Sequence, residues 1–288
     1  MQDKVQGRRL LIINADDFGL HKSINEAVET AHNEGILTSA TLAVNGDGFD
    51  DAVAVAKRNL RLGVGVHLTL VGEKPVSDPS TIPSIVDGHG KLFDDYNSLI
   101  GRIISGRADM THIAIECRAQ IARFVNSGLV PTHIDSHQHL HLWPSVVQAI
   151  KPVLSEYGIE RARGLTVPWF DYRRLDAYKI GFSLFVKWRD PARKAGLRSP
   201  DAFIGFLNSG MMETRYVLRS IERLGSGVTE MSFHPGKDND LIRKRYSHLG
   251  EKHGWNCDWE REFAALTDPA VKRQIGACGI RLVNYRDL

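Results

Sequence analysis

A chain of 288 residues with 42% hydrophobic and 25% charged residues can bury a full core without disulfides or a structural metal. Its formal net charge of +3 is too small for a nucleic-acid binder, whose cations cluster on one face. Three cysteines, Cys117, Cys257 and Cys278, are few, odd in number and far apart, which excludes a disulfide framework or a zinc ribbon and fits a reducing compartment.

The apolar run Leu10 to Ile13 is too short for a signal-peptide core, and no later run approaches the roughly 20 residues of a spanning helix. The expectation is a cytoplasmic protein, with peripheral contact at the inner membrane face as the only membrane role. The same run reads as a buried strand, followed by a loop at Asn14-Ala-Asp-Asp-Phe-Gly19. Ser23 with Glu26 three residues on predicts a capped helix through His32, stopped by Gly35. Thr38 to Val44 predicts a second strand, Asp50 to Lys57 a second helix, and Leu62 to Leu70 a third strand. That alternation indicates parallel α/β architecture.

Residues 71–93 are rich in turn formers and predict a long functional connection. A helix over Thr111 to Asn126 and a short strand from Val130 follow, then a helix entered through Pro144, a favoured first-turn residue. Val228 to Phe233 and Arg281 to Tyr285 predict further strands. Between Arg161 and Gly210 aromatic residues from Trp169 to Trp188 mix with many Lys and Arg, which predicts an inserted lid or substrate-contacting segment (residues 161–210) in a single domain over 1–288. The plain alternative is an amphipathic barrel helix with a solvated basic face.

Four predicted strands run into His, Asp or Asn, and parallel α/β folds bind ligands at the carboxyl ends of their strands. Adjacent Asp16 and Asp17 repel unless a cation compensates. With a divalent ion, one could ligate while the other stays free as a general base. Taken alone, the pair reads first as a solvated turn or a helix cap. His67 lies in an apolar strand, where a lone histidine is commonly a hydrogen-bonded core residue. The run His133, Asp135, His137, His139, His141 is the strongest signal: an extended backbone aims alternate side chains to one face, whereas a bend lets only some converge. His234, held by the following proline, is a candidate general acid or a strand-ending turn, and Glu230 is a candidate to orient it.

Asn14-Ala-Asp-Asp-Phe-Gly19, Gly65-Val-His-Leu-Thr-Leu70, Thr132-His-Ile-Asp-Ser-His-Gln-His-Leu-His141 and Phe233-His-Pro-Gly236, in this order, resemble the motifs of YdjC-like carbohydrate deacetylases. The likeness runs from Leu10 to Asp287. The Val-Thr-Glu…His-Pro ending and the Pro75 to Asp87 loop are similar to the hopanoid-biosynthesis-associated HpnK branch. The resemblance implies a distorted (β/α) TIM-like barrel that hydrolyses N-acetyl groups on amino sugars. Position by position it implies Asp17, His67 and His137 as ligands of one divalent ion (Zn, Mg, Co, Ni or Fe). It further implies Asp16 as base, His234 as acid, and His133, Asp135, His139 and His141 as supporting or substrate-contacting residues. The family often has a cysteine before the His-Pro pair, where this chain has Phe233. The implied substrate is an N-acetylglucosaminyl hopanoid glycolipid, with chitobiose-like oligosaccharides as the alternative. A metal-dependent phosphoesterase and a non-catalytic carbohydrate-binding module are the competing classes.

Overall fold

The computed structural model describes residues 7–172, 177–253 and 257–288. In chain order the elements are β1 (Arg9–Phe18), α1 (Lys22–Asn33), β2 (Ser39–Leu42), α2 (Phe49–Arg58), β3 (Gly63–Leu68), α3 (Tyr96–Ile104) and α4 (Met110–Asn126). There follow β4 (Ile134–Ser136), α5 (Pro144–Glu156), α6 (Ala177–Arg189), α7 (Pro191–Lys194), β5 (Ala202–Ile204) and α8 (Thr214–Ile221). The chain ends with β6 (Gly227–Phe233), α9 (Asn239–His253), α10 (Trp259–Thr267), α11 (Pro269–Ala277) and β7 (Arg281–Val283).

The sheet path is β4-β3-β2-β1-β6-β5, with β7 on β1, and every pairing between these strands is parallel. Parallel strands covered on both faces read as continuous apolar runs, and all but the first residue of β1 are buried. Residues 161–166 join the two ends of the path. Ala162 bridges Ile134 of β4, and the Phe203 N–H of β5 donates to the Thr166 carbonyl at 2.9 Å. Closure by single bridges makes this a distorted barrel, as the motifs predict.

Local expectations are met at most helices and corrected at two points. Of the loop expected over Asn14 to Gly19, all but Gly19 is strand, because β1 runs on to Phe18. The cap of α1 is His21, whose Nδ1 accepts from the Ser23 N–H at 3.1 Å, and not Ser23, whose hydroxyl accepts from the Lys237 N–H at 3.0 Å. The long connection after β3 is pinned by buried Glu116 of α4, whose carboxylate accepts from the N–H groups of Val76 and Ser77, both at 2.9 Å. Residues 161–210 supply barrel closure and β5 as well as α6.

Gly65 lies where β3 presses on His133, the residue before β4. A Cβ there would lie 2.5 Å from the His133 ring and 2.7 Å from the His133 carbonyl oxygen. His133 is held in turn by its stack on Tyr285, centroids 3.5 Å apart. Gly65→Ala should therefore destabilise the fold by about 1–3 kcal/mol, the usual range for overpacking, read as a lower urea midpoint.

Candidate metal centre and active site

Two adjacent strand residues ordinarily point to opposite faces. Asp17 breaks this rule with φ +62, and the β1–β2 register shifts between Ala15 and Phe18. Aspartate tolerates this left-handed conformation better than most residues. The kink delivers both Asp16 and Asp17 to the carboxyl end of the barrel.

At that end Asp17 Oδ1 lies 3.3 Å from His67 Nε2 and 3.2 Å from His137 Nδ1. His67 comes from β3, and His137 follows β4 directly. One ligand atom from each of Asp17, His67 and His137 lies within 4.8 Å of the others, and all three residues are buried. His67 Nε2 is buried and makes no well-aligned hydrogen bond, with Asp17 Oδ1 at 3.3 Å as its polar neighbour. Its other nitrogen, Nδ1, is 2.7 Å from Asp135 Oδ1. A carboxylate on the far ring nitrogen fixes the imidazole's orientation and aims the near nitrogen at a cation. Burial alone would lower the His67 pKa, but Asp135 and Asp17 raise it to about 10. Burial would likewise raise the Asp17 carboxyl, but His137 and His67 hold it well below the ordinary range. The negative field that stabilises an imidazolium here stabilises any other cation in the same place.

Beneath this cluster lies Arg163, fully buried. Its Nη1 and Nη2 donate to Asp16 Oδ2 and Oδ1, both at 2.6 Å, and Nη1 reaches Asp135 Oδ2 at 2.7 Å. Its Nε and Nη2 donate to Glu230 Oε1 at 3.0 and 2.8 Å, and its plane lies over the Phe203 ring, 5.0 Å from the centroid. Asp16 also accepts from the Asn14 amide at 2.9 Å. The sequence-based picture of a free Asp16 is thus corrected: the carboxylate is clamped by a guanidinium fork. Three buried carboxylates (Asp16, Asp135, Glu230) share one guanidinium. Burial and Asp16 push the Glu230 carboxyl up to about 7 against the opposing pull of Arg163 and of the Tyr285 hydroxyl.

His234 follows β6, with Nε2 4.0 Å from Asp16 Oδ2. Its Nδ1 faces Glu262 Oε2 at 3.6 Å, an ion-pair separation too long for a hydrogen bond. Burial would lower the His234 pKa, but the Glu262 carboxylate, with Asp16 and Asp17, raises it to about 9. Glu262, on α10, also accepts from the Met212 and His234 N–H groups. Glu230 is not the group that orients His234: it points into the barrel, where Arg163 and Tyr285 engage it.

The His-rich run does not converge as a whole. It is extended through Ser136 and then turns through Gln138 and His139, both left-handed at φ +54 and +56. Asp135 and His137 reach the site. His141 lies behind it, with Nδ1 2.6 Å from the Ser136 hydroxyl and Nε2 3.1 Å from the Arg163 carbonyl, and burial lowers its pKa to about 4. His133 lies deeper in the barrel on Tyr285, and burial lowers its pKa to about 3. His139 packs edge-on against Phe203 and Phe206, with centroids at 5.7 and 5.2 Å.

Residues 10–277 match the YdjC-like protein family. This chain belongs to that family. A carbohydrate deacetylase of Brevibacillus brevis is 42% identical over 96% of this chain and 99% of its own length. A chitooligosaccharide deacetylase of Serratia marcescens is 32% identical over 97% and 99%. Among solved structures, an Enterococcus faecalis protein described in terms of cellobiose-phosphate cleavage superposes with a TM-score of 0.76 at 25% identity, over 98% of this chain and 99% of that one.

Three groups of this YdjC-like site escaped the sequence analysis: Arg163, Glu262 and Tyr285. Arg163 carried one faint signal, a basic residue beside the two apolar positions Ala162 and Leu165 just past the α5 helix. Glu262 lies in an ordinary amphipathic helix and carried none. Replacing Arg163 by methionine leaves Asp16, Asp135 and Glu230 buried without their cation. Arg163→Met should cost about 3–5 kcal/mol of stability, the range for breaking one side of a buried pair, measured by urea denaturation at neutral pH.

Proposed function

We propose that this chain is a metal-dependent carbohydrate N-deacetylase, with Asp17, His67 and His137 as metal ligands, Asp16 as general base and His234 as general acid. The observation that carries it is the meeting, at one barrel end, of a buried His₂Asp group, a guanidinium-clamped carboxylate and a further, acid-poised histidine. The names of the Brevibacillus and Serratia relatives support the same chemistry.

Two imidazoles and one carboxylate suit Zn²⁺, Co²⁺, Ni²⁺ or Fe²⁺, with Mg²⁺ the hardest ion of the set. Such an ion, when bound, supplies Lewis acidity, acidifying a water and polarising the acetyl carbonyl. Asp16, held at both oxygens by Arg163, accepts the proton of the attacking water. His234 delivers a proton to the nitrogen as the C–N bond breaks, giving acetate and a free amine. Glu262 keeps that proton on His234 until the amine needs it.

A second potential ion group, Asp16 with His67 and Asp135, already has the Arg163 guanidinium within 2.7 Å of both carboxylates. A second cation there would meet a fixed positive charge, which disfavours the two-metal phosphoesterase class. A pure binding module has no use for the clamped Asp16 and the Glu262-supported His234.

For the substrate we propose an N-acetylglucosaminyl hopanoid, following the HpnK-like motifs. The second reading is a chitobiose-like oligosaccharide, favoured by the name of the Serratia relative. The test is acetate release by metal-stripped protein re-supplied with Zn²⁺, Co²⁺ or Mg²⁺, on the glycolipid, diacetylchitobiose and free N-acetylglucosamine. Metal-dependent acetate from the glycolipid alone supports the first substrate, and release from diacetylchitobiose moves it to the second. No acetate from any of them with a loaded site overturns the deacetylase reading.

The pH dependence has a defined sign. The acid form of His234 exists below pH about 9 and is lost as the pH rises through that value. A cation on Asp17 would offset part of the carboxylates' support for that form, so the alkaline limb of kcat/KM should lie below pH about 9. In Glu262→Gln, which removes the supporting charge, it should move down toward the ordinary histidine value of about 6.5. An unmoved limb would assign the acid to another group.

A further inference from the structure

The outer face of α6 has a pattern that the active site does not use. At about 100° per residue, Tyr178, Gly181, Leu184 and Trp188 fall on one stripe of the helix. Tyr178 is 59% exposed, Leu184 52% and Trp188 73%, and Trp169, just before the helix, is 85% exposed. Lys187 and Arg189, both exposed, lie on the two flanks of the stripe. The opposite face is anchored: Phe182 packs on Tyr96, Trp143 and Phe206, and the Ser183 hydroxyl is 3.1 Å from that of Tyr172.

We propose that this face of α6 docks the protein on an anionic lipid surface. An apolar stripe of Trp, Tyr and Leu between basic flanks matches a helix lying in the plane of a bilayer interface, with its aromatic rings at headgroup depth. Charge selects the occupant. Arg193 and Arg198, beyond the helix, are paired with Asp201 and Glu160, whereas Lys187 and Arg189 stand exposed on the flanks of the stripe. The helix itself carries no acidic residue. A second copy of the same face would therefore bring cations against cations, whereas anionic headgroups neutralise them. No helix among the described residues is long and apolar enough to cross a membrane, so the contact is peripheral.

Docking would also orient the barrel. Phe182, on the inner face of α6, meets Phe206 at 5.9 Å, and Phe206 meets His139 at 5.2 Å, two residues from His137. The docked face is thus two ring contacts from the site. The surface does not depend on the deacetylase reading, because binding to vesicles is read without turnover.

The test is flotation of the purified chain with vesicles of phosphatidylcholine, with and without about one-third phosphatidylglycerol. The wild type should float with the anionic vesicles, stay in solution with the neutral ones, and be released as added salt screens the flanking charges. Leu184→Ser with Trp188→Ser, and separately Lys187→Glu with Arg189→Glu, should each lower the bound fraction about tenfold at unchanged melting temperature. Wild type that fails to float overturns the proposal. So does equal flotation of both double variants, which would put the lipid contact elsewhere. Sedimentation as a dimer that Leu184→Ser with Trp188→Ser dissolves, with no flotation, would reassign the face to a second copy of the chain.

Discussion

The buried guanidinium of Arg163 is the constraint around which the barrel end is organised. Taking one cation and three carboxylates out of water is unfavourable unless each lone pair and each N–H finds a partner. Here the five N–H donors of the fork are spread over Asp16, Asp135 and Glu230, and the plane is covered by Phe203. Each of these carboxylates then has a second duty: Asp135 orients His67, Glu230 accepts from Tyr285, and Asp16 faces His234. A planar fork can fix three acids from three separate strands, which a lysine point charge cannot. Asp17, the one acid of the cluster outside the fork, is the one turned toward two imidazoles.

This division of the adjacent acids follows from a backbone detail. A regular strand would separate Asp16 and Asp17 onto opposite faces. The left-handed Asp17 and the slipped register against β2 let one join the guanidinium and the other the histidines. The same device recurs after His137, where two left-handed residues turn the chain away. Strained conformations of this kind persist only where surrounding contacts over-determine them, and both lie at the candidate centre.

What was legible in the sequence were features carried by neighbouring residues. Apolar runs ending in acids or imidazoles gave the parallel strands, and the pairs Asp16–Asp17 and Asp135–His137 marked the functional end. Asp17, His67 and His137 lie together although they come from three strands, because parallel topology sends every strand end to one side. Contacts that depend on tertiary closure were not legible. Arg163 reaches Asp16 across 147 positions, and Glu262 faces His234 from a helix whose pattern resembles that of any surface helix. Glu230 was assigned to His234 by its spacing of four, yet in a strand that spacing points a side chain along the same face and not toward its neighbour. β5, three residues long, is too short to leave a periodic signal.

The central claim is that the two adjacent acids have separate tasks, Asp17 holding the ion and Asp16 moving the proton. The most direct test is to measure bound metal and acetate release on the same preparations of Asp16→Asn and Asp17→Asn. The account predicts that Asp16→Asn keeps its ion while turnover falls on the order of 10²- to 10⁴-fold, and that Asp17→Asn loses the ion. An Asp16→Asn protein stripped of metal beside an Asp17→Asn protein that retains it would contradict the account.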